Sequence, residues 1–342
     1  MGIFLLMPYV CRRNLLDVSV KLDFVSKILV TGGAGFIGHH LLKKLAELDS
    51  QVVIIDNLSN QNENFGIAHS RNNNNEDFFT FYNVDILNRN AVLDTLRHED
   101  IVTCIHLAAK ISVLDSISNP YDTLDVNVKG TLNLLEACSK YNVNNFIFAS
   151  SAASYGEPKR LPIKEEHPLN PLSPYGASKV AAEALVSAYA NLKKIEHAIS
   201  LRFFNVYGKG QSPEYAGVIT KFVERLSKGH APIIYGDGKQ TRDFISVNDV
   251  VDSITLAVKL CKKISYPDII NIATGKSVSI NELAQLMIRI CGFDIEPIYE
   301  KERSGDIKYN EVDVTKFLSV LGFTRFRSLQ SELELLFKER TA

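Results

Sequence analysis

The sequence predicts an α/β fold in which a doubly wound parallel sheet is followed by a smaller C-terminal α/β lobe. Short β-branched apolar runs alternate with helical patterns from Lys27 onward, which is typical of a parallel sheet covered by helices on both faces. A glycine-rich turn joins the first run to the first helical pattern. After about residue 200 the alternation gives way to segments punctuated by glycine and proline, so we expect a second, smaller lobe there.

The individual elements follow in chain order. Lys27–Thr31 is the first predicted strand, and a helical pattern with apolar positions from Phe36 to Leu48 follows it. Asn57–Asp77 lacks an apolar period and contains four consecutive asparagines, so it is predicted to be a surface loop. Further strands are predicted over Gln51–Asp56, Phe79–Val84, Val102–Leu107 and Asn145–Ser150, and further helices near 88–97, 120–141, 175–193, 248–263 and 279–291.

Three parts of the chain are expected. Residues 26–200 form the sheet domain with the reactive side chains, and residues 201–342 form mainly the second lobe, with some segments returning to the first. Residues 1–25 are an extension of unknown role. Its apolar run, Ile3–Val10, is shorter than the ~20 residues of a membrane span. Arg12 and Arg13 follow the run, whereas a secretory signal has its positive charge first. A short membrane anchor is the alternative for this segment.

Composition and charge exclude several classes of function. The 342 residues are 46% apolar and 23% charged, which are ordinary values for a globular protein. With 38 basic and 39 acidic residues, the formal net charge is −1. No basic excess therefore supports binding to nucleic acid or to an anionic membrane, and neither partner is expected.

The cysteines and histidines predict neither disulfides nor a metal site. Five cysteines are widely spaced and form no C-x-x-C motif, which favours reduced thiols in a cytoplasmic protein. His39 and His40 are adjacent on a predicted helix, so their side chains point in different directions. We expect no metal.

A dinucleotide site is predicted at the first strand-to-helix turn. The turn has the pattern G-x-x-G-x-x-G, with Gly32, Gly35 and Gly38 at its three glycine positions and with Phe36 and Ile37 inside it. Glycine permits the tight turn and the close approach of a pyrophosphate, and the helix N-terminus offers N–H groups to the phosphates.

The end of the second strand predicts which dinucleotide is bound. Asp56 can accept hydrogen bonds from both ribose hydroxyls and would repel a 2′-phosphate, and no arginine stands at Asn57 or the next two positions. NAD is therefore favoured over NADP. Further cofactor contacts are expected where the third and fourth strands end, at Asp85, Ile86, Leu107, Ala108 and Ala109.

A tyrosine and a lysine four residues apart share one face of a helix, where the ammonium can stabilise a phenolate and lower its pKa. The chain holds four such pairs: Tyr155/Lys159, Tyr175/Lys179, Tyr189/Lys193 and Tyr235/Lys239. The first and last precede glycine turns, where the helical geometry fails. The middle two share a helix at a separation of about 21 Å, so only one can serve a given site.

Tyr175 is the better candidate because it starts its helix near the C-terminal edge of the sheet, where α/β proteins bind ligands. We therefore expect Tyr175 and Lys179 to be catalytic, with Ser151 as the hydroxyl that orients a substrate oxygen. The pair Tyr189/Lys193 is interpreted as a solvated or packing face.

These motifs belong to a longer pattern between residue 27 and about residue 313. The matching segments are VTGGAGFIG, IIDNLSN, HLAAK, DVNVKGTLNLLEA, FIFASSAASYG, NPLSPYGASKVAAEAL, LRFFNVYG, YGDGKQTRDFISVNDV and Arg303-Ser304-Gly305-Asp306. In them the chain resembles the extended short-chain dehydrogenase/reductase superfamily and its NAD-dependent epimerase/dehydratase branch. It looks most like UDP-glucose 4-epimerases and related UDP-sugar 4-epimerases, which implies a Rossmann fold and a UDP-sugar substrate.

The resemblance also implies a reaction and a set of contacts. A tyrosinate at Tyr175 removes the 4-hydroxyl proton while C4 gives hydride to NAD. The 4-keto sugar then turns over, and hydride returns to the opposite face. Asn127 resembles a residue near the cofactor. Asn310 aligns loosely beside C2 of the sugar, where its small side chain would leave room for an N-acetyl group. Nucleotide-sugar contacts are implied for Asn205, Val218, Arg242, Arg303 and Asp306.

Three of these contacts have weaker support. Arg242 could instead form an ordinary surface pair with Asp243, and Asn310 could be a surface residue. The surroundings of Arg303 depart from the proline-rich form that is usual in the family.

Two features favour simple 4-epimerisation within this branch. Related dehydratases and decarboxylases carry an acid just after the active-site hydroxyl, where this chain has Ala152 and Ala153, and no cysteine lies near 150–180 to supply a second acid/base pair. The alternatives are a UDP-glucuronate 4-epimerase or another nucleotide-sugar dehydratase or reductase of the family. A non-enzymatic dinucleotide sensor is disfavoured because the serine, tyrosine and lysine are all present.

The helices near 120–141 and 175–193 carry more apolar positions than one sheet face should absorb. The examples are Val126, Leu132, Leu135, Val180, Leu185 and Val186. The resemblance implies that both helices pair with their copies in a homodimer. Thicker packing within one chain is the alternative.

Overall fold

A computed structural model describes residues 27–48, 50–59, 78–212, 217–264, 267–302 and 307–341. The predicted extension over residues 1–25 and most of the predicted surface loop lie outside the described residues.

The main element is a seven-stranded sheet in which every neighbouring pair is parallel. Its strands are β1 (Lys27–Thr31), β2 (Val52–Asp56), β3 (Phe79–Asn83), β4 (Ile101–His106), β5 (Asn145–Ser151), β6 (His197–Phe203) and β10 (Asp268–Ile272). Their spatial order is β10-β6-β5-β4-β1-β2-β3. The chain thus builds outward in both directions from β1, and the switch point lies between β1 and β4.

Helices cover both faces of this sheet, as the alternation predicted. The first part of the chain contributes α1 (Phe36–Glu47), α2 (Arg89–Arg97), α3 (Val113–Ser118), α4 (Pro120–Leu124), α5 (Thr131–Lys140) and α6 (Pro174–Asn191). The remaining helices are α7 (Val218–Ser227), α8 (Val247–Leu260), α9 (Ile280–Cys291), α10 (Thr315–Leu321) and α11 (Leu329–Thr341).

Alternate residues of each strand supply two separate cores. Ile28 and Val30 of β1 pack on one face with Leu41 of α1 and Ile254 of α8, whereas Leu29 packs on the other face among residues of α2, α5 and α6. All four of the named β1 and α1 side chains are fully buried. Burying one such side chain contributes about 1.5–3 kcal/mol to folding stability. This two-sided core therefore fixes where the strands end, and hence where the ligand cleft opens.

The smaller lobe has two short sheets and its own core. One sheet holds β7 (Asn205–Tyr207), β9 (Thr241–Ser246) and β11 (Ser277–Ser279), and the other pairs β8 (Ile233–Tyr235) with β12 (Ile298–Glu300). Buried residues of α7, α9 and α11 pack together, including Phe222, Met287 and Phe337. Helix α9 begins with a capping box between Ser279 and Glu282. It ends at Gly292, whose backbone has the left-handed conformation.

Two segments differ from the sequence prediction. The helix predicted over 120–141 is α4 and α5 joined by a π-helical turn over Asp125–Gly130, where the Thr131 hydroxyl donates to the Asn127 carbonyl oxygen. The helix predicted to reach residue 193 ends at Asn191, and Lys193 has a φ of 55°.

Strand β10 returns from the C-terminal half of the chain to the edge of the main sheet beside β6.

Two of the apolar side chains counted on the outer helices pack within this chain. Leu135 and Val186 are buried in its core, as the alternative of thicker packing within one chain expects for them. The outward face instead exposes Leu114, Ile117, Tyr121, Leu124 and Leu132.

Within the described ranges, no helix combines the length and the apolar character that crossing a bilayer requires.

Candidate active site

A cleft of about 320 Å³ opens at the carboxyl ends of the parallel strands, over the switch point. It extends from the glycine turn after β1 to Ser151, Tyr175 and Lys179. Every cofactor residue predicted from the sequence lines this cleft except Asn127. Residues from the ends of six strands of the main sheet, β1 to β6, therefore meet in one concave site.

The three glycines of the turn are required for different reasons. Gly32 has a φ of +72°, and a Cβ there would lie 2.6 Å from the backbone nitrogen of Ala108. A Cβ on Gly38 would lie 2.3 Å from the Gly32 carbonyl oxygen, so the first helical turn packs directly on the loop. A Cβ on Gly35 would meet only one atom, at 3.2 Å, so this glycine keeps the cleft side of the turn open.

Helix α1 begins at this turn with its N–H groups uncapped. Gly35 is its N-cap and makes no side-chain capping bond, and the first turn contains no acidic residue. A free, positively polarised helix N-terminus behind an open glycine surface fits a pyrophosphate.

The ends of β2 and β3 fit the adenosine end of a dinucleotide. The two carboxylate oxygens of Asp56 accept hydrogen bonds from the backbone N–H groups of Ala34 (2.9 Å) and Leu58 (2.8 Å). The Asn57 amide donates to the Asp85 carboxylate at 2.9 Å, which joins the two strand ends. The fixed Asp56 carboxylate keeps lone pairs for ribose hydroxyls, and its charge disfavours a 2′-phosphate.

The reactive side chains come from the end of β5 and the start of α6. Ser173 caps α6 by accepting from the Gly176 N–H at 3.1 Å, and Pro174 occupies the first helical turn. This places Tyr175 in the first turn, where its phenol hydrogen-bonds with the Ser151 hydroxyl. One turn later, the Lys179 ammonium donates to the Ala149 carbonyl oxygen at 2.9 Å and lies 5.1 Å from the centre of the Phe148 ring.

Burial shifts the pKa values of both members of the pair. Desolvation raises the pKa of Tyr175, while the hydrogen bond from Ser151 lowers it in part. Desolvation also lowers the pKa of Lys179 to about 8. That the Lys179 ammonium, which donates to the Ala149 carbonyl oxygen, lowers the pKa of the phenol stays a prediction.

The other three tyrosine–lysine pairs fail as predicted, each for a visible reason. Tyr155 follows a short 3₁₀ turn and is buried, with its hydroxyl donating to Asn271. Tyr189 packs in the core and donates to Glu136, and its lysine has left the helix. Tyr235 ends the strand β8.

A buried chain of hydrogen bonds supports the strand ends beneath the cleft. The Thr131 hydroxyl donates its proton to the Asn127 carbonyl oxygen, so its oxygen accepts from the Nε2–H group of His106 at 2.9 Å. The Nδ1 atom of His106 is then unprotonated and accepts from the Thr31 hydroxyl at 2.7 Å. Thr31 in turn accepts from the Ala108 N–H. Desolvation first, and then the positive charge of Lys179, lower the pKa of His106 to about 3, so the ring is neutral. The sequence analysis did not single out this residue.

A second cleft in the smaller lobe adjoins the first. Val206 and Gln211 line both clefts, and the second is also lined by Asn205, Val218 and Arg242. Three of the predicted substrate residues, which come from β7, α7 and β9, are thus brought together in a cleft that adjoins the one lined by Tyr175.

The neighbourhood of Arg242 rules out its interpretation as a surface pair with Asp243. The Asp243 carboxylate is fully buried and accepts from the backbone N–H groups of Thr274 (2.8 Å) and Lys276 (3.0 Å). Its carbonyl oxygen accepts from the Asn205 amide at 2.8 Å. The hydrogen bonds of Asp243 therefore connect the loop after β10 to β7 and β9. The preceding residue, Arg242, lies at the second cleft.

Of four other predicted residues, Asn127 and Asn310 line neither cleft. Asn127 is buried; its amide donates to Ser178 and to the Lys110 carbonyl oxygen and accepts from the Lys110 N–H. Asn310 is also buried rather than on the surface, and its N–H donates to Thr241. Arg303 and Asp306 lie outside the described residues. The direct binding roles of these four residues stay predictions.

Three buried polar residues near the reactive pair, namely Ser150, Glu183 and Arg202, were not predicted from the sequence. A signal for them exists. Arg202 interrupts an otherwise apolar strand, and a charge in a strand that must be buried needs a partner. Among the described residues, no group of three His, Cys, Asp or Glu side chains is placed to hold a metal ion.

Comparison with known proteins agrees with this geometry. The profile of the NAD dependent epimerase/dehydratase family matches residues 28–273, from β1 to the loop after β10. The chain belongs to this family. NAD is accordingly its cofactor, and the open glycine surface and Asp56 of the first cleft fit this dinucleotide.

Individual relatives cover nearly the whole chain. A putative UDP-glucose 4-epimerase from Methanocaldococcus jannaschii is 43% identical over 84% of this chain and 90% of its own length. The solved UDP-glucose 4-epimerase of Thermotoga maritima with UDP-glucose is 35% identical, with a TM-score of 0.83 over 92% of this chain and 99% of that one. A UDP-N-acetylglucosamine 4-epimerase from Methanobrevibacter ruminantium is 34% identical, with a TM-score of 0.81 over 92% and 97%.

Proposed function

We propose that this protein is an NAD-dependent UDP-sugar 4-epimerase that interconverts UDP-glucose and UDP-galactose, the corresponding N-acetylated pair, or both. One observation carries the proposal: Ser151, Tyr175 and Lys179 converge in the cofactor cleft, which shares Val206 and Gln211 with the second cleft. A sugar that spans the junction would place its C4 beside the phenol.

The protein's own groups supply the acid–base chemistry. Tyr175 as the phenolate takes the proton of the sugar 4-hydroxyl, and the Ser151 hydroxyl that holds the phenol also reaches the same oxygen. Bound NAD would supply the acceptor for the hydride of C4 and the donor that returns it. Tyr175 then returns the proton to the oxygen of the turned-over 4-keto sugar, so the net reaction is an isomerisation.

The small residues after Ser151 support this choice within the family. Ala152 and Ala153 form a 3₁₀ turn and present no side-chain acid to eliminate water from the sugar. The Arg242 guanidinium at the second cleft suits the diphosphate, because its planar fork matches phosphate oxygens. Val218 at the same cleft would lie against the uridine.

Proton NMR of the purified protein tests the proposal. UDP-glucose and UDP-N-acetylglucosamine are incubated separately, first without added NAD and then with it. The proposal expects a new signal of a sugar with an axial 4-hydroxyl from at least one substrate, and no such signal from Tyr175→Phe at the same protein concentration. Conversion of only UDP-glucuronate, or loss of water from the sugar, would contradict it in favour of the other reactions of the family.

We further propose that the active form is a homodimer built through the helices near 120–141 and 175–193. Its support is the outward apolar face that exposes Leu114, Tyr121 and Leu132, together with exposed alanines on α6 at positions 177, 184 and 188. Light scattering after gel filtration should give twice the mass of the chain, and Leu132→Glu should give the single mass.

We place the enzyme in the cytoplasm, because the described cysteines, 104, 138, 261 and 291, are all free thiols.

A further inference from the structure

The face of α6 that carries the reactive pair has a third polar member. Tyr175, Lys179 and Glu183 are spaced by four residues and each contacts one of three consecutive residues at the end of β5. Tyr175 bonds with the Ser151 hydroxyl, Lys179 with the Ala149 carbonyl oxygen, and the Glu183 carboxylate accepts from the Ser150 hydroxyl at 2.9 Å. Each of these three residues of α6 thus contacts a different residue of β5.

Glu183 is also one half of a buried ion pair. Its side chain is 5% exposed, and the side chain of its partner, Arg202 of β6, is 2% exposed. The two form a bidentate pair in which Nε of Arg202 lies 3.0 Å from Oε2 of Glu183 and one terminal nitrogen donates to Oε1. The other terminal nitrogen donates to the Tyr155 hydroxyl at 2.7 Å and to the Glu165 carbonyl oxygen at 3.0 Å.

This arrangement fixes the helix in two directions. The bond to Ser150 sets the position of α6 along β5, and the planar guanidinium sets the rotation of α6 about its axis relative to β6. Tyr175 lies two turns before Glu183 on the same face, so both movements would displace the phenol from Ser151.

We propose that Glu183 and Arg202 are positioning residues for the reaction, which hold Tyr175 in register with Ser151 and with the sugar oxygen. The proposal rests on the proposed epimerase function for its kinetic test. Buried ion pairs are weak contributors to net stability, since apolar residues of similar volume often replace them without loss. The role of the buried bidentate pair is therefore to fix the position of α6, because a displacement of the catalytic group by about 1 Å can lower the rate about 100-fold.

Three variants separate geometry from stability. Glu183→Gln removes one charge with little change in shape. The double variant Glu183→Leu/Arg202→Met replaces the pair with apolar side chains that restore the packing. Glu99→Gln is the matched control, since its carboxylate is 8% exposed and pairs with Lys27 at the amino end of β1, away from the cleft at the carboxyl ends of the strands.

The kinetic measurement is kcat and KM for the UDP-sugar that the wild type converts, with thermal unfolding recorded in parallel. We expect kcat to fall about 10- to 100-fold in Glu183→Gln and in the double variant, with KM within about 3-fold. The double variant should regain most of the melting temperature that Glu183→Gln loses. Glu99→Gln should keep the kcat of the wild type. Recovery of kcat together with the melting temperature in the double variant would overturn the proposal.

A second measurement needs no substrate and so remains decisive if the enzyme acts on a different sugar. The protein is labelled with 3-fluorotyrosine, and the Tyr175 resonance is assigned by its absence in Tyr175→Phe. The fluorine signal of Tyr175 should shift in Glu183→Gln and in the double variant and stay in place in Glu99→Gln. An unchanged signal in both Glu183 variants would contradict the proposal, whereas failure of every UDP-sugar to react would contradict only the proposed function.

Discussion

The two clefts are built in different ways. The cofactor cleft relies on backbone: glycine positions with no room for a Cβ, an uncapped helix end, and short polar residues at strand ends. The second cleft relies on longer side chains, including Arg242 and Gln211, that project from β9, α7 and the segment after β7. A backbone surface is rigid and suits a cofactor that is shared by a whole family. A side-chain surface can change by substitution and suits the substrate, where relatives differ.

The largest effect should come from the phenol of Tyr175 in the cofactor cleft. Tyr175→Phe is expected to lower kcat about 10²- to 10⁴-fold, because the variant lacks the group that exchanges the proton. KM and NAD content should change little, since the ring still fills its place. The control is Tyr189→Phe on the same helix, whose hydroxyl faces Glu136 and not the cleft. Equal losses in both variants would show a defect of the helix rather than of the acid–base group.

The next prediction compares two glycines within the backbone cleft. Gly38→Ala would set a Cβ 2.3 Å from the Gly32 carbonyl oxygen, so we expect a loss of folding stability of about 3 kcal/mol or more, as for other overpacked positions. Gly35→Ala, whose Cβ meets one atom at 3.2 Å, should fold almost normally but lose NAD. Denaturant unfolding and the absorbance of extracted NAD distinguish them, and stable Gly38→Ala protein with full NAD would refute the assignment.

The side-chain cleft should respond through affinity. Arg242→Met is expected to raise KM about 10- to 100-fold, because charge-assisted hydrogen bonds contribute about 1.5–3 kcal/mol. Folding stability and NAD content should stay near wild type. Isothermal titration with UDP alone checks the same point without turnover, and unaltered UDP affinity would remove Arg242 from the nucleotide site.

The smallest effect concerns the pH dependence of folding stability, to which the buried, hydrogen-bonded His106 near the cofactor cleft contributes. His106 has a pKa of about 3 when folded and about 6.5 when unfolded. The unfolded chain therefore takes up the proton first as pH falls, so this stabilisation is full above about pH 6.5 and is lost progressively toward pH 3. At pH 5 the loss is about 2 kcal/mol. Urea unfolding at pH 7.5 and pH 5 should show this difference in the wild type and not in His106→Gln, whereas equal pH dependence would contradict it.

The contrast between the clefts also explains what the sequence could predict. The glycine turn, Asp56 and the Tyr175/Lys179 pair are local patterns whose geometry follows from a strand end or one helical turn, and the structure brings them into one cleft. Glu183 and Arg202 were missed because their meaning depends on a contact between α6 and β6. Spacing along one helix does not reveal which buried charge lies opposite.

Two further features depend on contacts between elements for the same reason. Counting apolar positions does not reveal which side chains of the outer helices pack within the chain, as Leu135 and Val186 do. The direction of the Lys179 ammonium toward the Ala149 carbonyl oxygen depends on how α6 packs on β5, which a linear pattern does not contain.

The return of β10 to the edge of β6 has a consequence for how the protein is made. Until residue 272 is synthesised, the outer edge of β6 has no partner and its N–H and C=O groups remain available to other strands. At about 5–20 residues per second, this interval lasts roughly 3–14 seconds after Phe203 is added. A nascent chain that pauses in this interval carries an open sheet edge, so slow codons placed there should increase aggregation more than the same codons placed after residue 272.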